Sequence, residues 1–153
     1  MPYGIINGVK MFYRMKGKGT PIIFIHPPLL NSANFTYQLE QLSNRFQVIL
    51  FDIRGHGKSA PSPAPLTYSL IAEDIKQLLD LLNIEKAYIC GYSTGGGIAL
   101  EAMLNYPDRF YGGILLSAMS EVSDWKLRAR LMTAISLTAA KAKRMMSAAI
   151  AWG

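Results

Sequence analysis

The most specific chemistry in this chain is carried by Gly91-Tyr92-Ser93-Thr94-Gly95. An apolar run ends at Cys90, a serine stands two residues beyond Gly91, and Gly95, Gly96 and Gly97 follow closely. That spacing suits a serine raised on a tight strand-to-helix turn, its hydroxyl exposed for attack on a carbonyl. The glycines two residues to either side keep bulk away so that strand and helix can pack closely. The N–H of Thr94, at the start of the helix, is placed to stabilise an oxyanion, and the helix N-terminus adds its positive dipole end. A Gly-rich turn of this kind can also hold a phosphate, but no Walker lysine follows and no G-x-G-x-x-G is present at the turn. A serine nucleophile needs a base to take its proton. The chain has only two histidines, His26 and His56, and both precede the serine.

The elements that must position this serine are legible from periodicity. Tyr3 to Met15 is expected as a β-hairpin turning at Asn7-Gly8, with a flexible break at Lys16 to Gly19. "PIIFIH" (21–26) and "FQVILFDI" (46–53) are continuous apolar runs, as in strands buried on both faces. Ser32 to Arg45 between them is expected as a helix with Phe35, Leu39 and Leu42 in one stripe. Leu70 to Leu82 forms the clearest helix, with Ile71, Ile75, Leu78, Leu79 and Leu82 on one face and Glu73, Asp74, Lys76 and Asp80 elsewhere. Lys86 to Cys90 is a strand, Gly95 to Asn105 a helix stopped before Pro107, and "YGGILLSA" (111–118) a further strand. The alternation predicts an α/β fold of right-handed βαβ units around a mostly parallel sheet.

Composition narrows the class. With 50% apolar and 17% charged residues, 153 residues can bury a core of their own. The start has no basic n-region of a signal peptide, and no apolar run approaches the roughly 20 residues of a membrane span. Cys90 is the single cysteine, so no intrachain disulfide or metal-binding pair is expected. A soluble, cytoplasmic protein without metal or organic cofactor is the expectation. The net charge of +6 is uneven: residues 121–153 hold six basic and two acidic side chains, a net +4, which leaves +2 for the first 120. The body therefore carries no basic surface for nucleic acid.

Three motifs in order make the chain resemble the α/β-hydrolases. They are His26-Pro27-Pro28-Leu29 after one strand, Asp52-Ile53-Arg54-Gly55-His56-Gly57-Lys58-Ser59 after the next, and the turn at 91–95. "NYPDRF" (105–110) adds to the likeness. The resemblance covers residues 3 to about 120 and implies Ser93 as nucleophile, with residues 1–120 as the N-terminal part of the core and 121–153 opening a helical cap. In that family the acid and the histidine follow the serine in the chain. His26 and His56 then orient loops, with His56, and less so His26, a minority candidate for a substitute base; Asp124 starts the cap helix or, in a minority reading, supplies the acid. Two further βα units, about 60 residues, would carry acid and base. The expectation is thus the N-terminal part of a longer hydrolase, its partners for Ser93 lying beyond residue 153.

One motif departs from the family. The resemblance calls for His-Gly-x at the oxyanion loop, and here Pro27 replaces the glycine while Pro28, which has no N–H, falls on the donor position. Leu29 is expected to donate instead, beside Thr94. The tail at 125–152 is expected as one or two helices, with Leu127, Leu131, Ile135, Ala142, Met145 and Ala149 on one arc and Lys126, Arg130, Lys141 and Arg144 beside it. A cap over an apolar pocket suits that pattern better than a membrane surface. The functional expectation is hydrolysis of an ester, lactone or similar small acyl substrate, the partner being a small molecule. The rival is a non-catalytic ligand-binding or regulatory protein that keeps the pocket. Oligomeric state is not legible.

Overall fold

The computed structural model describes residues 3–118 and 124–139. The chain divides into two compact units between residues 119 and 120. In the first, the elements run β1 (Tyr3–Ile6), β2 (Val9–Lys16), β3 (Thr20–Ile25), α1 (Thr36–Leu42), β4 (Phe46–Phe51), α2 (Tyr68–Leu81), β5 (Ala87–Tyr92), α3 (Thr94–Asn105) and β6 (Phe110–Leu116). In the second, α4 spans Trp125–Ala139. The part of the expected tail helices beyond residue 139 lies outside the described residues.

One six-stranded sheet has the order β1-β2-β4-β3-β5-β6. β1 and β2 form the expected antiparallel hairpin, turning on Asn7 and Gly8, both at positive φ. β2 joins β4 antiparallel, and β3, β4, β5 and β6 are mutually parallel. Glycine has a steric role at the break over 17–19. A Cβ on Gly17 would stand 2.2 Å from the Phe46 carbonyl oxygen, so only glycine lets the chain pass there.

Alternation along the central strands decides which layer each side chain joins. Ile23, Ile25, Ile49, Phe51 and Ile89 point to the face covered by α2 and α3, where they meet Ile75, Leu78, Leu79, Ile98 and Ala102. Ile22, Phe24, Val48, Leu50 and Cys90 point the other way, onto Phe35 and Leu39. The helix expected over 32–45 is a 3-10 turn at Ser32–Phe35 followed by the short α1. Asn31 caps that turn, its side chain accepting from Ala33 N–H. Thr67 caps α2 by accepting from Leu70 N–H.

One expectation about α2 is corrected. Asp74 is fully buried in α2 instead of lying off its apolar face. It sits three residues after Ile71 and four before Leu78, so helical geometry places it on the core side, where Arg54 pairs with it. β6 is an edge strand, and Tyr111, Ile114, Leu115 and Leu116 are exposed.

Candidate active site

The strand order sets the place where a site can form. From β3 the chain crosses to β4 on one side, then α2 carries it back past β3 to β5 on the other. The C-terminal ends of β3 and β5 flank this reversal, which is where open α/β sheets bind ligands. The loop after β3 begins at His26, and the turn after β5 holds Ser93.

Ser93 joins β5 to α3 with φ 56° and ψ −124°, a conformation that L-residues avoid. Its N–H donates to Leu116 O at 2.9 Å, and its carbonyl accepts Gly96 N–H at 2.9 Å. The turn is held so close that a Cβ on Gly91 would lie 2.2 Å from Gly95 O, and one on Gly95 would lie 2.4 Å from Ile25 O. Both glycines are thus fixed by backbone approach, and the second sets the elbow against the end of β3. Ser93 is half-buried, and its hydroxyl has no hydrogen-bond partner among the described residues. Thr94 opens α3, and its hydroxyl oxygen is buried without a hydrogen bond among the described residues.

The loop after β3 folds as a β-turn, Leu30 N–H reaching Pro27 O at 3.4 Å with Leu29 at φ 68°. Proline followed by a positive-φ residue is the type II pattern, in which glycine is the usual third residue. Leucine bears the strain here. Pro27 and Pro28 have no N–H and Leu30 uses its own in the turn, which leaves the N–H groups of Leu29 and Asn31 without a hydrogen bond among the described residues.

Both histidines brace loops. His26 is fully buried; its Nε2 accepts Ile53 N–H at 3.0 Å, which leaves Nδ1 protonated to donate to Pro27 O at 2.9 Å. Burial pushes its pKa below the usual 6.5, holding the ring neutral and consistent with that tautomer. Both nitrogens are committed, so His26 has no lone pair left for a serine proton. His56 lies with its ring centroid 5.4 Å from that of His26, its Nδ1 3.2 Å from Arg54 O. Neither ring is hydrogen-bonded to Ser93 among the described residues.

Asp52 ties the two loops together: one carboxylate oxygen accepts Ser32 N–H at 2.7 Å and the other Lys58 N–H at 2.8 Å. Arg54 Nε donates to Asp74 at 2.6 Å, and Asn7 Nδ2 reaches the same carboxylate at 3.2 Å. Burial raises the Cys90 thiol to about 11, which keeps it protonated and unreactive. Asp124, in the second unit, is exposed and accepts Lys126 N–H at 2.7 Å, the geometry of an N-cap for α4. Among the described residues no three His, Cys, Asp or Glu side chains gather as a metal site. Nor is any helix there long and apolar enough to cross a membrane.

An elbow serine at the reversal of a mostly parallel sheet, with a braced loop beside it, defines a hydrolase-type scaffold. The chain belongs to the α/β hydrolase fold family, whose sequence model matches residues 20–137. It is similar to the serine hydrolase BPHL of Homo sapiens, with 31% identity over 125 residues that make up 78% of this chain and 43% of the human one. Among solved structures it resembles an N-acyl homoserine lactone degrading enzyme (34% identity, TM-score 0.73, 76% of this chain and 45% of that one). It also resembles a thermophilic esterase from Thermogutta terrifontis (26% identity, TM-score 0.78, 88% and 52%). The chain thus spans less than half the length of the curated human relative.

Proposed function

We propose that Ser93 is the nucleophile of a serine hydrolase acting on an ester, a lactone or a similar small acyl substrate. The observation that supports this most directly is the backbone of Ser93 at φ 56°, ψ −124°, between the end of β5 and the start of α3. Strain of about 1–3 kcal/mol at a single serine persists only where the surroundings enforce it, and such positions cluster at functional sites. In this reading Ser93 Oγ attacks the acyl carbon and gives its proton to a histidine. The oxygen that becomes negative is held by Thr94 N–H and Leu29 N–H. Collapse expels the alcohol, which takes the proton, and water then releases the acid by the same steps reversed. The reaction so written uses no metal or organic cofactor.

The histidine and its acid partner are assigned to a segment after residue 153. His26 supports that assignment because both its nitrogens are already engaged, and the part-length match to the hydrolase relatives agrees with it. Residues 1–120 are then the first part of the catalytic core, and 121–153 the opening of a cap that selects the acyl group.

A fluorophosphonate probe read by peptide mass spectrometry tests the assignment. A longer form carrying the following segment is expected to be labelled at Ser93 and to lose the label in S93A. The 153-residue chain is expected to label little. Labelling of the longer form that survives S93A would remove Ser93 as nucleophile; stoichiometric labelling of the short chain would place the base within it.

A further inference from the structure

A cleft of about 300 Å³ lies where β2 meets the loops that follow β3 and β4, lined by Phe12, Arg14, Asn31, Ser32, Asp52 and Lys58 among others. None of its lining residues belongs to β5 or α3, so it is separate from the Ser93 elbow. Two cations face it. Among the described residues neither Arg14 nor Lys58 forms an ion pair, although four other pairs are present.

The cleft's hydrogen bonding satisfies these cations only in part. Arg14 Nη2 donates to Ser32 O at 3.3 Å and Thr36 Oγ1 at 3.1 Å, while its Nε is buried without a partner. An orphaned N–H on a charged group is costly and calls for a counter-charge nearby. Lys58 Nζ is held 4.8 Å above the Phe12 ring, over the cleft. Asn31 spends its side-chain oxygen on Ala33 N–H and has its amide N–H₂ left to donate. The carboxylate in the lining, Asp52, is 2% exposed, and each of its oxygens already accepts a backbone N–H. With Arg14 and Lys58 positive and Asp52 negative, the lining carries a net charge of +1.

We propose that this cleft binds a small oxyanion, the phosphate or carboxylate group of a small molecule, between Arg14 and Lys58. The Asn31 amide is its third donor, and any apolar remainder lies against Phe12. The ligand would fasten β2 to both loops that Asp52 already couples, two residues from Leu29. It would thereby steady the loop that follows β3. The inference does not depend on Ser93 being a nucleophile.

Inorganic phosphate is the probe, titrated at constant ionic strength against sodium chloride, with melting temperature and backbone amide shifts as readouts. A saturable rise in Tm is expected, with amide shifts at Ser32 and Lys58. Lys58 is exposed, so K58Q should fold normally and bind roughly 10-fold or more weakly, the loss of one charge-assisted contact. N31A should weaken binding as well, whereas K18Q should match the wild type. Phosphate also stabilises proteins generally by exclusion from their surface. A gain that does not saturate, or that is equal in K58Q, would therefore overturn the proposal. Malonate in place of phosphate tells a carboxylate ligand from a phosphate one, saturation by either supporting the site.

Discussion

At the scale of single residues, Ser93 and Leu29 share one property: each holds a positive φ that its side chain disfavours. Glycine would relax either position, yet each carries a side chain at the reversal point of the sheet. For Ser93 the trade is measurable. S93G should relieve strain of about 1–3 kcal/mol and lose roughly 0.5–1 kcal/mol to a more flexible unfolded chain. A net gain of about 1 kcal/mol in urea unfolding is expected, whereas S93A, which keeps its Cβ, should gain nothing. A destabilised S93G would show that the turn is relaxed and the strain argument empty.

At the scale of elements, the buried Arg54–Asp74 pair does what no single strand or helix could. It joins the loop after β4 to α2, and Asn7 adds the turn of the β1–β2 hairpin. Both side chains are almost inaccessible, at 3% and 0% exposed, so removing one partner leaves a buried charge uncompensated. D74A is expected to cost about 3–5 kcal/mol, and R54M a similar amount. The double variant R54M/D74L should recover most of the loss, because an apolar pair of similar volume carries no desolvation penalty. Chemical denaturation of the wild type, R54M, D74L and R54M/D74L closes the cycle; simple additivity of the two single losses would mean that the pair is not coupled.

At the scale of the molecule, the sheet is unevenly finished. The central β3 and β4 are covered on both faces, while β6 leaves Ile114, Leu115 and Leu116 exposed at 43%, 42% and 41%. A sheet edge with exposed apolar side chains is a template for pairing with another strand. The 153-residue chain is therefore expected to self-associate as its concentration rises, followed by sedimentation velocity. L115K, a charge on that strand, should shift the distribution toward monomer without lowering Tm. An unchanged distribution would place the contact elsewhere.

Strand positions, the hairpin turn at Asn7-Gly8 and the elbow at Ser93 were legible in the sequence because each depends on neighbours within a few residues. A short continuous apolar run selects a buried strand, and two glycines flanking a serine permit one narrow turn. The burial of Asp74 was legible in principle from its i+3 spacing to Ile71, but an acidic residue on a core face makes sense only once Arg54 is seen beside it. The commitment of both His26 nitrogens, the strain at Leu29 and the unpaired Arg14 and Lys58 in one cleft had no local signal. They arise where the ends of β3, β4 and β2 are brought together, and strand order is set by long-range pairing. Residue type and spacing identified the side chains capable of reaction. The tertiary structure decided which were already engaged, since a hydrogen bond spent across 27 residues, from Ile53 to His26, leaves no trace in the spacing of either.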